Sequence, residues 1–532
     1  MPKVLVADPI AEAGIDRLRQ IAEVDERTGL SERELSCIIG EYDALVVRSE
    51  TKVTPDVLSQ ARNLKIIGRA GVGVDNIDVQ AATEKGIVVV NSPEGNTIAA
   101  AELTIAMLLS LARKIPQADA SLRAGRWERK KFVGTQVYGK TLGIIGLGKI
   151  GGEVARRARA FEMSVIAYDP YVTEEKARDY GATLVSLEEL YRRSDFITLH
   201  IPLNEQTRGM IRAEQIAMMK DGVRIINCAR GGIVDEHALA EAIQAGKVAG
   251  VAFDVFDKEP PTPDNPLICM PENVVTPHLG ASTEEAQVNV ALDIAEQIAD
   301  VLMGKPPRAA VNMPPLSAEA MALARPYLTL GEKIGCLHTQ LARDLDGRGE
   351  PIEEVEILYQ GDFGEVPTGT VTRAVLAGML SPVLSGPVNL VNAPVLAASR
   401  GIKVTESHSA TPTEYATMLT VRVQTPSAHR TICGTVFGPN DIRIVHIDGY
   451  RVEIVPEGIM LLTQHVDRPG IIGGVGTLLG NNNINIAGMH LGREKVGGRA
   501  LMVLMVDDPI SEELMAQIRA LPGMETARLV HL

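Results

Sequence analysis

Short apolar runs, each bounded by Gly, Asp or Pro, recur through the first half of the chain. The first hundred residues contain "KVLVAD", "ALVVRSE", "LKIIGRAGVG" and "GIVVVNSP". Continuous runs rich in β-branched residues are typical of buried parallel strands. An Ala- and Leu-rich helical pattern follows over residues 96 to 115, "NTIAAAELTIAMLLSLARKI". The pattern therefore predicts an α/β unit at the start of the chain.

A second α/β series begins with "TLGIIGLGKIGGEVARRARA". Five further strand candidates follow it, namely "SVIAYDP", "FITLHIPL", "VRIINCARGG", "VAGVAFDVF" and "NVVTPHLGAST". Strands that alternate with helical segments predict a doubly wound parallel sheet. The apolar helix pattern "EEAQVNVALDIAEQIADVLMG" comes next, and the Pro-rich "KPPRAAVNMPPLS" after it indicates a domain boundary.

The remainder of the chain has a different pattern. Residues 316 to 452 mix a helix over 319–345 with strands, among them one over residues 441–455, "DIRIVHIDGYRVEIV". No constellation of chemically active side chains stands out in this region. The last eighty residues follow the order β-α-β-β-α-β, with a helix that begins at "RPG" and a second helix in "SEELMAQIRAL".

Composition narrows the class of protein. A chain of 532 residues is too long for one core, so two to four domains are expected. The net charge of -14 argues against a general affinity for nucleic acid. Five scattered cysteines indicate reduced thiols, without a disulfide frame or metal site. With no signal peptide pattern and no apolar run of membrane-spanning length, we expect a cytoplasmic protein that does not enter a membrane.

The segment "GLGKIG" carries the clearest chemistry. Gly146, Gly148 and Gly151 follow an apolar strand and begin a helix, where they allow a tight turn, approach to a pyrophosphate and close helix packing. Asp169 ends the next strand, where a carboxylate accepts hydrogen bonds from a ribose and repels a 2′-phosphate. The segment predicts a nicotinamide dinucleotide site that favours NAD. Asp169 has an alternative interpretation as an ordinary strand-end cap.

Three more side chains follow later strands, at the sheet edge where open α/β sheets bind ligands. Arg230 in "NCARGGIVDE" can grip a carboxylate, Glu259 lies in "FDVFDKEPP", and His278 follows a Pro in "NVVTPHLGAST". A Glu beside an imidazole orients it and favours its protonated form. Arg230 has an alternative interpretation as a surface arginine in a turn, and His278 as a loop histidine without a function. Together they are equipped to transfer a hydride from a 2-hydroxy acid.

These four motifs, in this order and spacing, resemble the D-isomer-specific 2-hydroxyacid dehydrogenases, and the resemblance extends over essentially the whole chain. It implies catalytic roles for Arg230, Glu259 and His278. It also implies a split catalytic half, with residues 1–97 and 283–312 as the substrate-binding domain and 98–282 as the NAD-binding domain. The positions that match the family's cofactor contacts are Val72, Gly146, Gly148, Lys149, Ile150, Gly151, Asp169, Ile201, Cys228, Ala229, Arg230, Asp254, His278, Leu279, Gly280 and Ala281.

The resemblance is strongest to long members of the family, whose substrate is 3-phosphoglycerate. A substrate with both a phosphate and a carboxylate requires additional cations, and Arg48, Arg69 and Arg129 are the candidates in an otherwise acidic chain. The lysines of "RWERKKF" have an equally good interpretation as a solvated basic face. Two alternatives remain: another D-2-hydroxy acid such as glycerate, lactate or 2-hydroxyglutarate, or a regulatory protein that binds NAD.

The C-terminal part resembles an ACT domain over residues 456–532, preceded by an α+β intermediate domain over 313–455. The fold class expected overall is α/β, with two doubly wound Rossmann-like domains, an α+β domain and a βαββαβ domain. The resemblance implies that L-serine is an effector, with His465, Asp467 and Asn485 at its contact positions. It also implies a homo-oligomer, a dimer or a tetramer. The alternative is an ACT fold that serves only in dimerisation.

Overall fold

The first sheet of the protein is parallel throughout. The computed structural model describes residues 1–342, 350–411 and 414–532. In this part of the chain the first sheet has the strand order β2-β1-β3-β4-β5. Its strands are β1 (Lys3–Val6), β2 (Glu23–Glu26), β3 (Ala44–Val47), β4 (Ile66–Arg69) and β5 (Val88–Asn91). The helices between them are α1 (Glu12–Arg19), α2 (Glu32–Ile38), α3 (Pro55–Gln60) and α4 (Val79–Glu84).

The second sheet is also parallel, with the order β12-β11-β10-β9-β6-β7-β8. Its strands are β6 (Thr141–Ile145), β7 (Ser164–Tyr168), β8 (Thr183–Leu184), β9 (Phe196–Leu199), β10 (Val223–Asn227), β11 (Val248–Phe253) and β12 (Val274–Val275). The helices that accompany it are α5 (Thr97–Arg113), α6 (Ile115–Arg123), α7 (Lys149–Ala160), α8 (Glu174–Asp179), α9 (Leu187–Arg193), α10 (Ala213–Met218), α11 (Glu236–Gln244) and α12 (Pro266–Cys269).

Both sheets are covered by helices on two faces, because their strands are apolar on both sides. In β1, Val4 and Val6 pack in one apolar cluster and Leu5 packs in the opposite one. Helix α13 (Glu284–Leu302) returns the chain to the first sheet, where Ile294 and Ile298 join the cluster of Val4. Two doubly wound layers therefore lie side by side, and the chain crosses between them at residues 92–96 and 276–283.

The third sheet mixes parallel and antiparallel strands in the order β14-β13-β15-β16-β17-β18. Its strands are β13 (Glu354–Gly361), β14 (Lys403–Ser409), β15 (Thr417–Gln424), β16 (His429–Gly438), β17 (Asp441–Ile447) and β18 (Tyr450–Ile454). Helices α14 (Ala318–Ala342), α15 (Thr368–Leu380) and α16 (Ala393–Ser399) accompany it. The helix predicted over 319–345 matches α14, and its last three residues lie outside the described part of the chain.

The fourth sheet is antiparallel, with the order β20-β21-β19-β22. The chain order is β19 (Ile459–Val466), α17 (Ile471–Asn481), β20 (Ile486–Arg493), β21 (Arg499–Val506), α18 (Glu512–Arg519) and β22 (Met524–His531). This is the predicted βαββαβ order, so the expected fold class is confirmed along the chain. Ser511 caps α18 by accepting a hydrogen bond from the amide of Leu514.

Two local predictions need correction. The single strand expected over residues 441–455 is wrong, because Asp448 and Gly449 have positive φ values of 49° and 83° and turn the chain into the β17–β18 hairpin. The prediction also missed the strands β2 and β8, which each lie at a sheet edge. An edge strand is hydrogen-bonded on one side only, so β2 forms without an apolar run although three of its four residues are acidic.

No helix in the described residues is both long enough and apolar enough to pass through a lipid bilayer.

Candidate active site

The catalytic candidates are brought together by neighbouring strands. β10, β11 and β12 are adjacent and parallel, and Arg230, Asp254 and His278 follow their carboxyl ends. Because the carboxyl ends of parallel strands meet at one edge, side chains that are far apart in sequence converge there. This edge faces the loops that follow the first sheet, since Arg230 contacts Asp75 of the loop after β4.

His278 and Glu259 form a hydrogen-bonded pair. The Nδ1 atom of His278 lies 2.8 Å from Oε2 of Glu259, whose Oε1 accepts a bond from the amide of Phe256 at 3.1 Å. His278 has a positive φ of 55°, an uncommon backbone conformation for a residue other than glycine. Since Nδ1 is committed to Glu259, the Nε2 atom is the ring nitrogen that can exchange a proton with a substrate.

The charge of Glu259 is set by opposing effects. Burial by itself raises the pKa of this carboxyl, but the hydrogen bond and charge of His278, the amide of Phe256 and the charge of Arg230 hold the pKa below its usual value. Glu259 is therefore ionised at neutral pH and can stabilise a protonated imidazole.

Asp254 fastens the loop that carries His278. Its carboxylate accepts hydrogen bonds from the Thr276 hydroxyl at 2.6 Å and from the amides of Leu279 and Gly280 at 2.7 and 2.9 Å. Its backbone carbonyl accepts the amide of His278 at 2.9 Å. Burial raises the pKa of Asp254 in spite of these bonds. The resemblance implied a cofactor contact here, and the geometry gives Asp254 a positioning role as well.

Three arginines lie near one another, and one of them, Arg230, lies close to Glu259, the partner of the imidazole. Burial, and then the nearby charges of Arg230 and Arg48, lower the pKa of Arg69 to about 10. Among the described residues, the Nε atom of Arg69 is buried without a hydrogen-bond partner. Clustered cations with unused donors indicate an anion site. Arg129 is not part of this cluster: it lies in an exposed 3₁₀ turn (Arg129–Phe132), and no hydrogen bond in the described chain joins it to the other three.

The glycine loop has the geometry that a dinucleotide requires. Gly146 has a φ of 93°, and a side chain at Gly151 would lie 2.1 Å from the carbonyl oxygen of Gly146. A side chain at Gly148 would meet no atom within 4 Å, so this face of the loop is open. Lys149 and Ile150 begin α7, whose first amides point toward the same space. These residues fit NAD.

Asp169 already bonds the glycine loop. Its Oδ2 atom accepts the amide of Leu147 at 2.8 Å, and Oδ1 accepts the amide of Tyr171 at 2.9 Å. The alternative interpretation as a strand-end cap is therefore supported by two bonds. A carboxylate oxygen can accept more than one hydrogen bond, so these contacts leave room for a ribose hydroxyl.

Other cofactor candidates surround the same space. Val72 follows β4 and is held by a bond from Asn91 to its carbonyl oxygen at 2.5 Å. Ile201 follows β9, and its side chain contacts the position of Gly146. Cys228 and Ala229 follow β10, and burial raises the pKa of the Cys228 thiol to about 12, so it is not a reactive thiolate. Ala281 and Arg48 line one small cavity.

The structure adds polar groups that sequence analysis did not identify. In the described chain, Ser92, Asn96 and Thr97 each have a buried side-chain oxygen without a hydrogen-bond partner. Ser92 and Asn96 lie in the crossing segment between β5 and α5, and Thr97 is the first residue of α5. The amide of Ser92 donates to the carbonyl oxygen of Gly71 in the loop after β4. Unpaired buried oxygens are costly, so they are candidates for ligand contacts. The turn residues of "NSPEGNT" after a strand were the available signal.

The three effector candidates do not meet within one chain. Asp467 follows β19 and accepts bonds from Arg493 at 3.4 Å and from the amide of Gly497 at 3.3 Å. His465 is buried in β19, and burial lowers its pKa. Asn485 precedes β20 and bonds Asp507 at 2.7 Å. In the register of the sheet, His465 of β19 pairs with Ala500 of β21, while Ile486 of β20 pairs with Val506 at the other end of β21. The strand rises about 20 Å between Ala500 and Val506, so Asn485 lies about that far from His465.

Comparison with known proteins is consistent with this geometry. Residues 105–280 match the family described as D-isomer specific 2-hydroxyacid dehydrogenase, NAD binding domain. Residues 323–448 match the D-3-phosphoglycerate dehydrogenase intervening domain, and residues 459–523 match the ACT domain. In the solved D-lactate dehydrogenase from Aquifex aeolicus, complexed with NAD and lactic acid, 96% of the chain aligns with 57% of this one at 30% identity and a TM-score of 0.52. The fold and site define an NAD-dependent dehydrogenase of 2-hydroxy acids.

Two relatives of matching length identify the family more specifically. The D-3-phosphoglycerate dehydrogenase of Archaeoglobus fulgidus is 50% identical over 533 residues and that of Bacillus subtilis is 43% identical over 535 residues, each covering 100% of both chains. The chain belongs to the D-3-phosphoglycerate dehydrogenase family.

Proposed function

We propose that the protein oxidises 3-phospho-D-glycerate to 3-phosphohydroxypyruvate with NAD, the first step of phosphorylated L-serine biosynthesis. One observation carries this proposal: Arg48, Arg69 and Arg230 lie close together, and Arg230 lies close to Glu259, which is hydrogen-bonded to His278. The substrate has a carboxylate and a phosphate, and this cluster offers more positive charge than a single carboxylate needs. The relatives of matching length carry the name of this activity.

The mechanism assigns one task to each side chain. Arg230 binds the substrate carboxylate and polarises the C2 oxygen, while Arg69 and Arg48 attract the phosphate. The Nε2 atom of His278 takes the proton of the C2 hydroxyl, and the ionised Glu259 stabilises the imidazolium. NAD, when bound, supplies the acceptor for the hydride that leaves C2. Asp254 keeps the imidazole in place by holding the amides of Leu279 and Gly280.

The test is formation of NADH with 3-phosphoglycerate against D-glycerate, D-lactate and 2-hydroxyglutarate. We expect kcat/KM to be highest for the phosphorylated substrate, and Arg48→Gln and Arg69→Gln to reduce that preference because both remove charge from the cluster. Equal turnover of the unphosphorylated acids would contradict the substrate assignment. Absence of turnover with every acid would favour a regulatory protein that binds NAD.

We further propose that L-serine binds the C-terminal ACT domain and that the protein is a homo-oligomer. β20 is an edge strand with the exposed apolar side chains Met489 and Leu491. Antiparallel pairing of β20 with the same strand of a second copy would bring Asn485 of one copy near the Arg493 end of the other, where Asp467 lies. An effector site would then require two copies, which explains why one chain leaves its candidates apart.

The nucleotide half offers a second surface for association. Exposed large apolar side chains lie together in sequence between α5 and β6, namely Ile115, Leu122, Trp127, Val133 and Tyr138. Such residues are typical of an interface between subunits. Two interfaces of this kind support a tetramer as well as a dimer, and light scattering of the full chain distinguishes the two.

Binding of L-serine is measured by calorimetry with the full chain, and its effect by NADH formation. We expect Asn485→Ala and Asp467→Asn to weaken serine binding about equally, since each removes one half of a shared site, while Asn482→Ala on the same turn does not. Serine binding that survives both changes would contradict the assignment. We also propose that the protein is cytoplasmic. The proposed domains are residues 1–97 with 283–312 for the substrate, 98–282 for NAD, 313–455 for the intermediate domain and 456–532 for the ACT domain.

A further inference from the structure

Arg230 crosses the cleft and is held by a carboxylate of the opposite domain. Its Nε atom donates to Oδ2 of Asp75 at 3.2 Å, and its Nη1 atom donates to the carbonyl oxygen of Ala229 at 2.7 Å. Arg230 follows β10 of the second sheet, while Asp75 lies in the loop after β4 of the first. The ion pair therefore joins the two walls of the cleft.

The loop is shaped to receive this guanidinium. A side chain at Gly73 would lie 2.1 Å from Nη2 of Arg230 and 2.8 Å from Oδ2 of Asp75. Gly73 thus leaves the space that the guanidinium occupies, and Asp75 stands beside the edge formed by Nε and Nη2. That edge has two parallel N–H groups, the arrangement that binds a carboxylate with both oxygens.

Asp75 is an exposed carboxylate next to the cluster of arginines. It favours the charged form of Arg69, which Arg230 and Arg48 disfavour. A second acid near these arginines, Asp8, is buried and uses its carboxylate on the amides of Arg48 and Thr51 and on the Thr51 hydroxyl. The Asp75 side chain is 66% exposed, so it can turn into solvent at little cost.

We propose that Asp75 is a positioning residue that takes the place of the substrate carboxylate on Arg230 and leaves when the substrate binds. In the absence of substrate it orients the guanidinium across the cleft. When a 2-hydroxy acid enters, the substrate carboxylate replaces Asp75 on the Nε–Nη2 edge. A ligand without a carboxylate cannot make this exchange, so Asp75 also selects for acids. This inference rests on the proposed role of Arg230.

The experiment compares Asp75→Asn and Asp75→Ala with the wild type in steady-state kinetics of the full chain. Asn keeps an oxygen for Nε but carries no charge that competes with the substrate, so KM for 3-phosphoglycerate should fall about two- to fivefold, the range of exposed ion pairs, with kcat within about twofold. Ala removes the oxygen too and leaves the guanidinium unoriented before the substrate binds, so KM should be about tenfold higher than in Asn, with kcat again within about twofold because Asp75 has left Arg230 in the substrate complex. A KM that falls with Asn and not with Ala distinguishes positioning from a merely structural role, which would lower kcat in both variants.

Two other carboxylates serve as controls. Glu188→Gln removes an exposed acid that pairs with Arg192 on α9, and it should change neither KM for NAD nor KM for the hydroxy acid. Glu94→Gln breaks another ion pair, from Glu94 in the crossing segment to Lys149 at the glycine loop, so it should change KM for NAD and not KM for the hydroxy acid. An equal effect of Glu94→Gln and Asp75→Asn on both KM values would mean that loosening the cleft is the cause, and would overturn the proposal.

A binding measurement keeps the proposal separate from the reaction assigned to the protein. Oxalate is titrated by calorimetry into the full chain with NADH present, and Asp75→Asn should bind oxalate about two- to fivefold more tightly than the wild type. If 3-phosphoglycerate is not turned over but oxalate binding tightens, the substrate assignment fails and the role of Asp75 stands. If turnover is normal and neither KM nor oxalate binding changes in Asp75→Asn, the role of Asp75 is refuted.

Discussion

The backbone of His278 is held in the left-handed region, φ 55°, by contacts on both sides of the residue. Its amide bonds the Asp254 carbonyl, and the two amides that follow it bond the Asp254 carboxylate. A non-glycine residue adopts this conformation only where the surrounding structure compensates for it. The imidazole is therefore fixed before any ligand binds, which is what general acid–base catalysis requires.

Removal of the imidazole tests its assignment. We expect His278→Ala to lower kcat by about 10²- to 10⁴-fold, because a positioned acid–base group contributes that much, while NADH binding changes little. Stopped-flow turnover and NADH fluorescence titration measure the two quantities. His237→Ala, an exposed histidine on α11, is the matched control and should leave both unchanged. Normal turnover in His278→Ala would refute the acid–base role.

The glycines of the loop differ in what a methyl group would meet. Gly148→Ala places it in open space, so the melting temperature should be unaffected while KM for NAD rises about tenfold or more through contact with the pyrophosphate. Gly151→Ala places it 2.1 Å from the Gly146 carbonyl, so both stability and NAD binding should fall. Gly369→Ala on α15 also meets open space and should change neither. Equal losses of melting temperature in Gly148→Ala and Gly151→Ala would contradict this distinction.

At the scale of elements, an aspartate joins two neighbouring strands in the same way in each of the two doubly wound sheets. Asp43 precedes β3 and accepts the amide of Lys3 in β1 at 2.9 Å. Asp195 precedes β9 and accepts the amide of Thr141 in β6 at 2.8 Å. Burial by itself raises the pKa of each carboxyl, but these amides and a lysine beside each acid hold both pKa values below 3.8. Each acid thus ties the start of one strand to its neighbour.

This arrangement predicts a pH-dependent contribution to stability. Because the folded pKa of Asp195 is lowered, its stabilisation is present above pH 3.8 and is lost as the pH falls through the folded value. We expect Asp195→Asn to cost about 1–2 kcal/mol near pH 7 and the difference from the wild type to close below pH 3.8. Hydrogen exchange of residues 141–145 across this pH range provides the measurement.

The control for this prediction is Glu188→Gln, which removes an exposed acid paired with Arg192 on α9. That change should have little effect at any pH, because exposed pairs within a helix contribute little. A constant difference between Asp195→Asn and the wild type at every pH would show that the lost bond, and not the charge, matters.

The sequence pattern correctly predicted strands of the parallel sheets that are buried on both faces. The central strands of both parallel sheets are nearly continuous apolar runs, so their pattern identified them. The edge strands β2 and β8 were missed, because one side of an edge strand needs no partner and no apolar run. The β17–β18 hairpin was overlooked although Asp448–Gly449, between alternating apolar residues, is a typical turn pair.

At the scale of the whole molecule, two asparagines of the intermediate region contact the end of α4, a helix that packs on the first sheet. The side chain of Asn389 donates to the Gly86 carbonyl at 2.8 Å, and the side chain of Asn392 donates to the Glu84 carbonyl at 3.4 Å. These carbonyls lie at the end of α4, which follows the loop that carries Asp75. The contact connects the C-terminal half of the chain with a wall of the catalytic cleft.

This contact can be removed without disturbing the turn that supports it. Asn389→Asp keeps the oxygen that accepts the amides of Val391 and Asn392 in the turn before α16, but it loses the donor to Gly86. We expect faster hydrogen exchange at residues 84–88 and a weaker response to serine, with basal kcat within about twofold. Asn63→Asp, an exposed asparagine in the loop before β4, is the comparison. Unchanged exchange at residues 84–88 would refute the connection.

The sequence by itself determined the fold class, the family and the cofactor, because glycine spacing, strand periodicity and four linked motifs are local properties of the chain. The tertiary structure decided how those pieces interact. One apolar cluster combines Ile357 of the third sheet with Leu462 and Val503 of the fourth, and the register of the fourth sheet separates Asp467 from Asn485. The exchange of Arg230 between Asp75 and a substrate is likewise invisible in sequence, because 155 positions separate the pair and only the folded sheets bring it to 3.2 Å.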